Sequence, residues 1–302
     1  MQVCRTIRTN FLKNIMAISE GNLMVSVCCI TYNHENYIAQ ALDGFLMQET
    51  NFKFEILIGE DSSTDQTKAI IQDYCGRYPG MITLISHGTN VGSIRNHIEV
   101  LTRAKGKYVA MCDGDDFWTD SSKLQKQVDF LEANEEYVIC CHHSEVVDSQ
   151  GKTVYVKDFP VKLEFDYKDV LLGKREETRM SSLMMRNIKE VREVTTQSWY
   201  LHTYGTDTFL KLYAVANTGN KIYVLPDVMA SYRHHNGGVW SMIDPKVRKS
   251  RSISDFKLTI KNFKYSTFQK RELLNIYFKQ YFLFDIRYFN FTSAFQTIAK
   301  LW

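Results

Sequence analysis

KYVAMCDGDDFW, residues 107–118, holds a fold signal and a chemical signal side by side. Residues 107–112 form a short apolar run, of the length and continuity expected for a strand buried on both faces. Asp113, Asp115 and Asp116 follow at once, with Gly114 between the first two. Carboxylates this close repel one another. A divalent cation relieves that repulsion, and magnesium or manganese typically takes one or two carboxylates together with substrate phosphates. An exposed acidic turn would use the same residue types, since Asp and Gly are common turn formers. An EF-hand is excluded, because the twelfth position from Asp113 is Leu124 where that loop needs Glu.

Upstream, strand-like runs at 25–31 (VSVCCIT), 54–59 (FEILIG) and 81–86 (MITLIS) alternate with helical spacing at 36–48, 65–78 and 93–104. Downstream, helix is expected at 123–134 and 205–217, and strand at 137–142, 181–186 and 221–225. A turn at 148–151 should join two short strands. This alternation predicts an α/β fold: a Rossmann-like, mostly parallel central sheet with helices on both faces. Ligands of such sheets bind beyond the C-terminal ends of the strands. Those ends hold Thr31, Tyr32 and Asn33; Glu60 and Asp61; Asn90 and Gly92; and the three aspartates.

Each set has a chemical and a plain reading. A carboxylate at Glu60 or Asp61 can accept the imide N–H of a pyrimidine, and Tyr32 can pack on the base. Ser63 or Thr64 can simply cap the next helix. Asn90 and Gly92 permit a tight backbone turn. Asp207 could be a helix N-cap, and His234 and His235 could be ordinary loop residues.

Taken in order, the strand ends resemble the family-2 glycosyltransferases, which have the GT-A fold. The resemblance rests on VSVCCITYNHENYI (25–38), EDSSTDQT (60–67), NVGSIRN (90–96) and MCDGDDFW (111–118). It continues through TRMSSLMMRN (178–187), GTDTFL (205–210) and YRHHNGGVW (232–240). It implies transfer of a sugar from a nucleotide-diphosphate donor, UDP favoured, to a saccharide or lipid-linked saccharide acceptor with inversion. It further implies that Thr31, Tyr32 and Asp61 line the base pocket, with Asn33, Asn90 and Arg95 on the nucleotide side. Asp113 and Asp115 match the two acids of the family's DxD motif. Asp115, Asp116 and His235 become the expected ligands of magnesium or manganese, Arg233 the diphosphate contact, and Asp207 the base. Glu60 stands where the family more often has Asp, and Thr206 precedes Asp207 where Glu or Gly is usual. Ser181 and Ser182 fall near the expected acceptor site.

The residue types suit that reaction. A single displacement at the anomeric carbon needs one carboxylate to take the acceptor proton on the face opposite the leaving group. The diphosphate leaves with its charge compensated by cations. A nucleotidyltransferase would instead be expected to carry a Gly-rich, Lys-containing loop after the first strand, where this chain has Thr31, Tyr32, Asn33 and His34. A catalytically inactive nucleotide-sugar-binding protein is a second rival, disfavoured by the intact set Asp61, Asp115, Asp116 and Asp207.

The chain has 302 residues and a net charge of +3, so whole-protein nucleic-acid binding is not implied. The charge is uneven: residues 246–271 alone carry +8. There Ile253, Phe256, Ile260 and Phe263 recur at helical spacing with Lys257, Lys261 and Lys264 opposite. Such a basic amphipathic helix suits either an anionic membrane surface or packing on the main domain. The aromatic stretch after Leu273 suits core or oligomer contact. Three regions are expected: an extension at 1–24, a glycosyltransferase-like domain at 25–240 and a helical C-terminal segment at 241–302. Arg5, Arg8 and Lys13 interrupt any signal peptide, and Met24 is a candidate natural start. No apolar run approaches the roughly 20 residues of a membrane span. The expected location is cytoplasmic or peripheral at the inner membrane face. Seven cysteines without metal-ligand spacing, including the pairs Cys28, Cys29 and Cys140, Cys141 in apolar runs, fit a reducing compartment.

Overall fold

Alternate residues of the first strand, β1 (Leu23–Thr31), serve two different cores. Val25, Val27 and Cys29 pack into one and Cys28 into the other, which is why the strand is apolar without a break. The computed structural model describes residues 23–237, 243–287 and 289–299. The extension up to residue 22, the domain boundary expected at 240 and the end of the GGVW stretch lie outside the described residues.

Among the described residues the elements after β1 are α1 (Ile38–Leu46), β2 (Lys53–Glu60), α2 (Thr67–Arg77), β3 (Ile82–Ser86), α3 (Ser93–Arg103) and β4 (Tyr108–Met111). Then come β5 (Phe117–Trp118), α4 (Lys123–Ala133), β6 (Tyr137–Val147), β7 (Thr153–Tyr155), β8 (Leu163–Phe165), α5 (Tyr167–Leu171), β9 (Met184–Arg186) and α6 (Lys189–Arg192). α7 (Thr206–Thr218) and β10 (Lys221–Arg233) precede four C-terminal helices: α8 (Pro245–Asn262), α9 (Thr267–Tyr277), α10 (Leu283–Arg287) and α11 (Phe291–Ala299).

The strands form one sheet in the order β3-β2-β1-β4-β9-β6-β10-β5, with β7 on β6 and β8 on β10. The first four are parallel, as expected. The second half is mixed: β9 runs antiparallel to both β4 and β6, while β6 and β10 are parallel. β9 arrives after a long excursion from β6 that includes β7, β8 and α5, and its three residues fill the gap between β4 and β6. The 181–186 stretch, expected as one strand, divides into a 3₁₀ turn (Met180–Ser182) and β9.

Helices α1, α2 and α4 cover one face, and α3 and α7 the other. At nine residues α1 is too short to persist alone. Burial of Ile38, Leu42 and Phe45, each contributing about 1.5–3 kcal/mol, holds it on the sheet. The C-terminal helices join the second core. Phe263 and Leu273 are buried with Phe209 of α7, and Phe256 and Ile260 pack alongside. Lys257, Lys261 and Lys264 stay exposed. The apolar side of α8 is therefore occupied by the domain. Asp244 caps α8 ahead of Pro245, and a Ser266–Gln269 capping box starts α9. No helix among the described residues is long and apolar enough to cross a membrane.

Candidate active site

The loops after β1 and β2 are laced together. Asn33 and Ser62 both adopt left-handed backbone conformations, with φ of 55° and 58°. The Asn33 side-chain oxygen accepts from Thr64 N at 2.8 Å, and Asn33 N donates to Ser63 Oγ at 3.0 Å. His34 N donates to Thr67 Oγ1 at 2.8 Å. Ser63 and Thr64, expected to cap α2, thus bind the neighbouring loop, and Asp65 accepts from Thr67 N at 3.0 Å. Asp61 is buried, and its two oxygens accept from Val91 N at 2.7 Å and Gly92 N at 2.9 Å. It clamps the third loop, where Asn90 closes a turn on Gly92 N at 3.1 Å. A carboxylate has about four acceptor positions, so two remain for a ligand. Tyr32 is 42% exposed at the mouth, free to stack on a planar group. Arg95 is exposed in the first turn of α3. Thr31 Oγ1 is buried and has no hydrogen-bond partner.

Gly114 lets the acidic loop close on β1: a Cβ there would sit 2.8 Å from Thr31 Oγ1. Beyond it the three aspartates diverge. Asp113 is pushed up to about 8 by burial and by the charges of Asp115 and Asp207. Burial also works against the charge on Asp115, but His235 and His34 outweigh it and hold this carboxyl below its usual range. His235 Nε2 lies 3.1 Å from Asp115 Oδ2, and His34 Nε2 lies 3.8 Å from the same atom. Asp116, expected on the metal, turns into the protein and accepts from Arg233 N at 2.8 Å. Burial and the neighbouring Asp115 push its carboxyl well up.

Arg233, expected on the diphosphate, is buried and committed elsewhere. It donates to Asp115 O (3.0 Å), Asp148 O (3.2 Å), Ser149 O (3.5 Å) and Gln40 Oε1 (2.7 Å). Its guanidinium also lies 4.7 Å from the Tyr37 ring centre and 5.2 Å from that of Phe117. It is a keystone that ties the acidic loop to the β6–β7 turn and α1.

Asp207 sits in the first turn of α7, whose N-cap is Gly205, so its carboxylate is not spent as the cap. Lys211, one turn on and buried, donates to Asp207 Oδ2 at 3.0 Å, to Thr178 O at 2.6 Å and to Thr178 Oγ1 at 2.9 Å. Burial raises the Asp207 carboxyl, but the Lys211 ammonium outweighs it and holds the group below the usual range. From α8, Asp255 accepts from Tyr204 N at 2.9 Å and Gly205 N at 2.8 Å. The loop carrying Asp207 is thus held from below by Lys211 and from the side by the C-terminal segment.

Asp113 thus feels the charges of both Asp115 and Asp207, which come from two distant parts of the chain. The carbonyls of Ser181 and Ser182 are bound by Trp118 Nε1 and Gln127 Nε2. Among the described residues no three His, Cys, Asp or Glu side chains converge as a ready metal cage. The donor chemistry still suits a hard cation: Asp113 and Asp115 are oxygen donors two residues apart, and the charge on Asp115 is one of the causes that raise Asp113. Lys211, Asp255 and His34 carry parts of the site that motif reading missed. Lys211 had a signal, its i,i+4 spacing from Asp207; Asp255 had none.

A family model described as "Glycosyl transferase family 2" matches residues 26–194. An uncharacterized protein of Mycobacterium tuberculosis is 37% identical over 223 residues, 72% of this chain and 60% of that one, so the chain spans about 60% of this relative's length. Among solved structures, S. aureus TarS 1–349 in complex with UDP-GlcNAc superimposes with a TM-score of 0.62 at 19% identity, covering 85% of this chain and 73% of that one. The mannosyltransferase PcManGT from Pyrobaculum calidifontis, in complex with GDP-Man and Mn2+, gives 0.61 at 16% identity over 99% and 83%. These likenesses fix the fold as GT-A.

Proposed function

The chain belongs to glycosyl transferase family 2, and on that premise we propose that it moves a sugar from a nucleotide-diphosphate donor, UDP favoured, to a saccharide or lipid-linked saccharide acceptor, with inversion. The observation that supports this reading is the acidic loop Asp113–Asp116 directly beyond the parallel strand β4, with Asp207, from a distant part of the chain, near enough for its charge to act on Asp113.

Tyr32 and the loops held by Asp61 form the base side of the donor pocket. Asp207, kept ionised by Lys211, accepts the proton of the acceptor hydroxyl as that oxygen attacks the anomeric carbon. Its low proton affinity suits a base that works as the oxygen becomes acidic in the transition state. Asp113 and Asp115 would hold magnesium or manganese, which when bound would offset the diphosphate charge. Arg233 acts indirectly, by fixing the main chain that carries Asp115.

Calorimetric titration of UDP, GDP and dTDP, with and without manganese, tests this. Asp113→Ala/Asp115→Ala is the informative variant, because Asp116 anchors β10. Binding of one nucleotide that manganese strengthens and the variant loses supports the reading. Failure of folded protein to bind any nucleotide overturns it.

A further inference from the structure

The segment after β6 is built unlike the rest of the surface. β7 is an edge strand with all three residues exposed. From there to β8 the chain presents Val154 (65% exposed), Tyr155, Val156, Phe159 (84%) and Val161 to solvent. Lys152, Lys157 and Lys162 punctuate the run, with Asp158 its one acid. None of the three ammonium groups has an ion pair among the described residues. Both ends are anchored: Thr153 Oγ1 donates to Glu145 at 2.9 Å, the His143 ring bonds Val161 O at 2.7 Å, and β8 pairs with β10. The β6–β7 turn at its base accepts from Arg233, which also holds Asp115 O.

We propose that residues 152–162 form the contact of this protein with an anionic bilayer. Phe159 and its apolar neighbours enter the interface, and the three lysines meet lipid phosphates. This deepens the glycosyltransferase reading, on which it rests, by placing the cleft against a surface that would carry a lipid-linked acceptor. A protein partner fits less well, because interface cores deplete lysine, whereas an anionic lipid surface rewards cations around an inserted aromatic ring. The basic helix α8 fits less well too, since its apolar side is already buried against the domain.

Co-sedimentation of the full chain with vesicles of phosphatidylcholine containing about a third phosphatidylglycerol tests the assignment. Wild type should partition onto these and not onto pure phosphatidylcholine, less so as salt rises. Phe159→Ser should weaken partition about tenfold, as expected for losing one buried aromatic ring. Lys257→Ala/Lys261→Ala/Lys264→Ala should change it less than twofold. A Phe159→Trp variant should show blue-shifted emission on vesicle binding. Absence of partition by wild type overturns the proposal, as does loss confined to the triple-lysine variant. So does a Phe159→Ser effect seen on self-association or on soluble saccharide binding instead of vesicles. Nucleotide titration of the same samples separates the two readings: nucleotide bound without vesicles sinks this proposal alone, and vesicles bound without any nucleotide sink the enzymatic one.

Discussion

The two halves of the candidate site are built by different means. The half around Tyr32 and Asp61 is local: loops after consecutive parallel strands, tied by bonds such as Asn33 to Ser63 and Thr64, and Asp61 to Val91 and Gly92. The side carrying Asp207 is assembled from distant pieces: Thr178 before β9, Lys211 on α7 and Asp255 on α8. A parallel sheet places its strand ends together whatever the side chains there. The orientation of Asp207 depends instead on contacts between segments about 30 to 50 residues apart. Binding and turnover should therefore separate under mutation.

Asp207→Asn gives the widest separation. Turnover should fall by about three orders of magnitude, within the range for removing a general base, while calorimetry finds nucleotide affinity within about twofold of wild type. Joint loss of both would merge the two sides.

Lys211→Met should come next. It leaves the Asp207 carboxylate without its counter-charge. The expected cost is about 2–4 kcal/mol by denaturant titration, toward the lower range for a broken buried pair because the Asp207 side chain is 32% exposed. The pH sign follows from the depressed carboxyl. Its contribution to stability is present above the unfolded value near about 4 and is lost as pH falls through the lower folded value. In the variant the acid limb of both stability and turnover should move upward. An unmoved limb would mean that Lys211 does not set the ionisation of Asp207.

Asp255→Asn should act more mildly. An amide can keep one acceptor bond to the Tyr204–Gly205 backbone, so stability should fall by about 1–2 kcal/mol. Turnover should drop about tenfold with nucleotide affinity unchanged. An equal loss in both would show α8 supporting the whole domain and not the base alone. Smallest of all, Lys257→Ala/Lys261→Ala/Lys264→Ala should leave stability within about 0.5 kcal/mol, as exposed sites do.

The same division governs what was legible in the sequence. β1, β2 and β4 announce themselves because strands buried on both faces must be continuously apolar. Their ends then locate Tyr32, Asp61, Asp113 and Asp115. Helix bounds such as 205–217 against Thr206–Thr218 differ only by fraying. β10 was expected at 221–225 but continues to Arg233, through register shifts around Leu225 and Val228 that no periodicity reveals. β9 is too short for a pattern to register. Arg233 and Asp116 carry motif identities yet are consumed by internal bonds, and the sequence does not say whether a donor points at a ligand or at a neighbouring carbonyl. Asp255 is the one acid of residues 246–271, and nothing in the sequence pattern says that it accepts from the Tyr204 and Gly205 backbone.

A single displacement with Asp207 as the base leaves its mark on the stereochemistry of the product. Proton NMR can follow the sugar first released when water replaces the acceptor, using an α-linked donor of the nucleotide that binds. Inversion requires the β anomer to appear first, before mutarotation. Appearance of the α anomer first would contradict it, by requiring two displacements or a front-face reaction in which Asp207 is not the base.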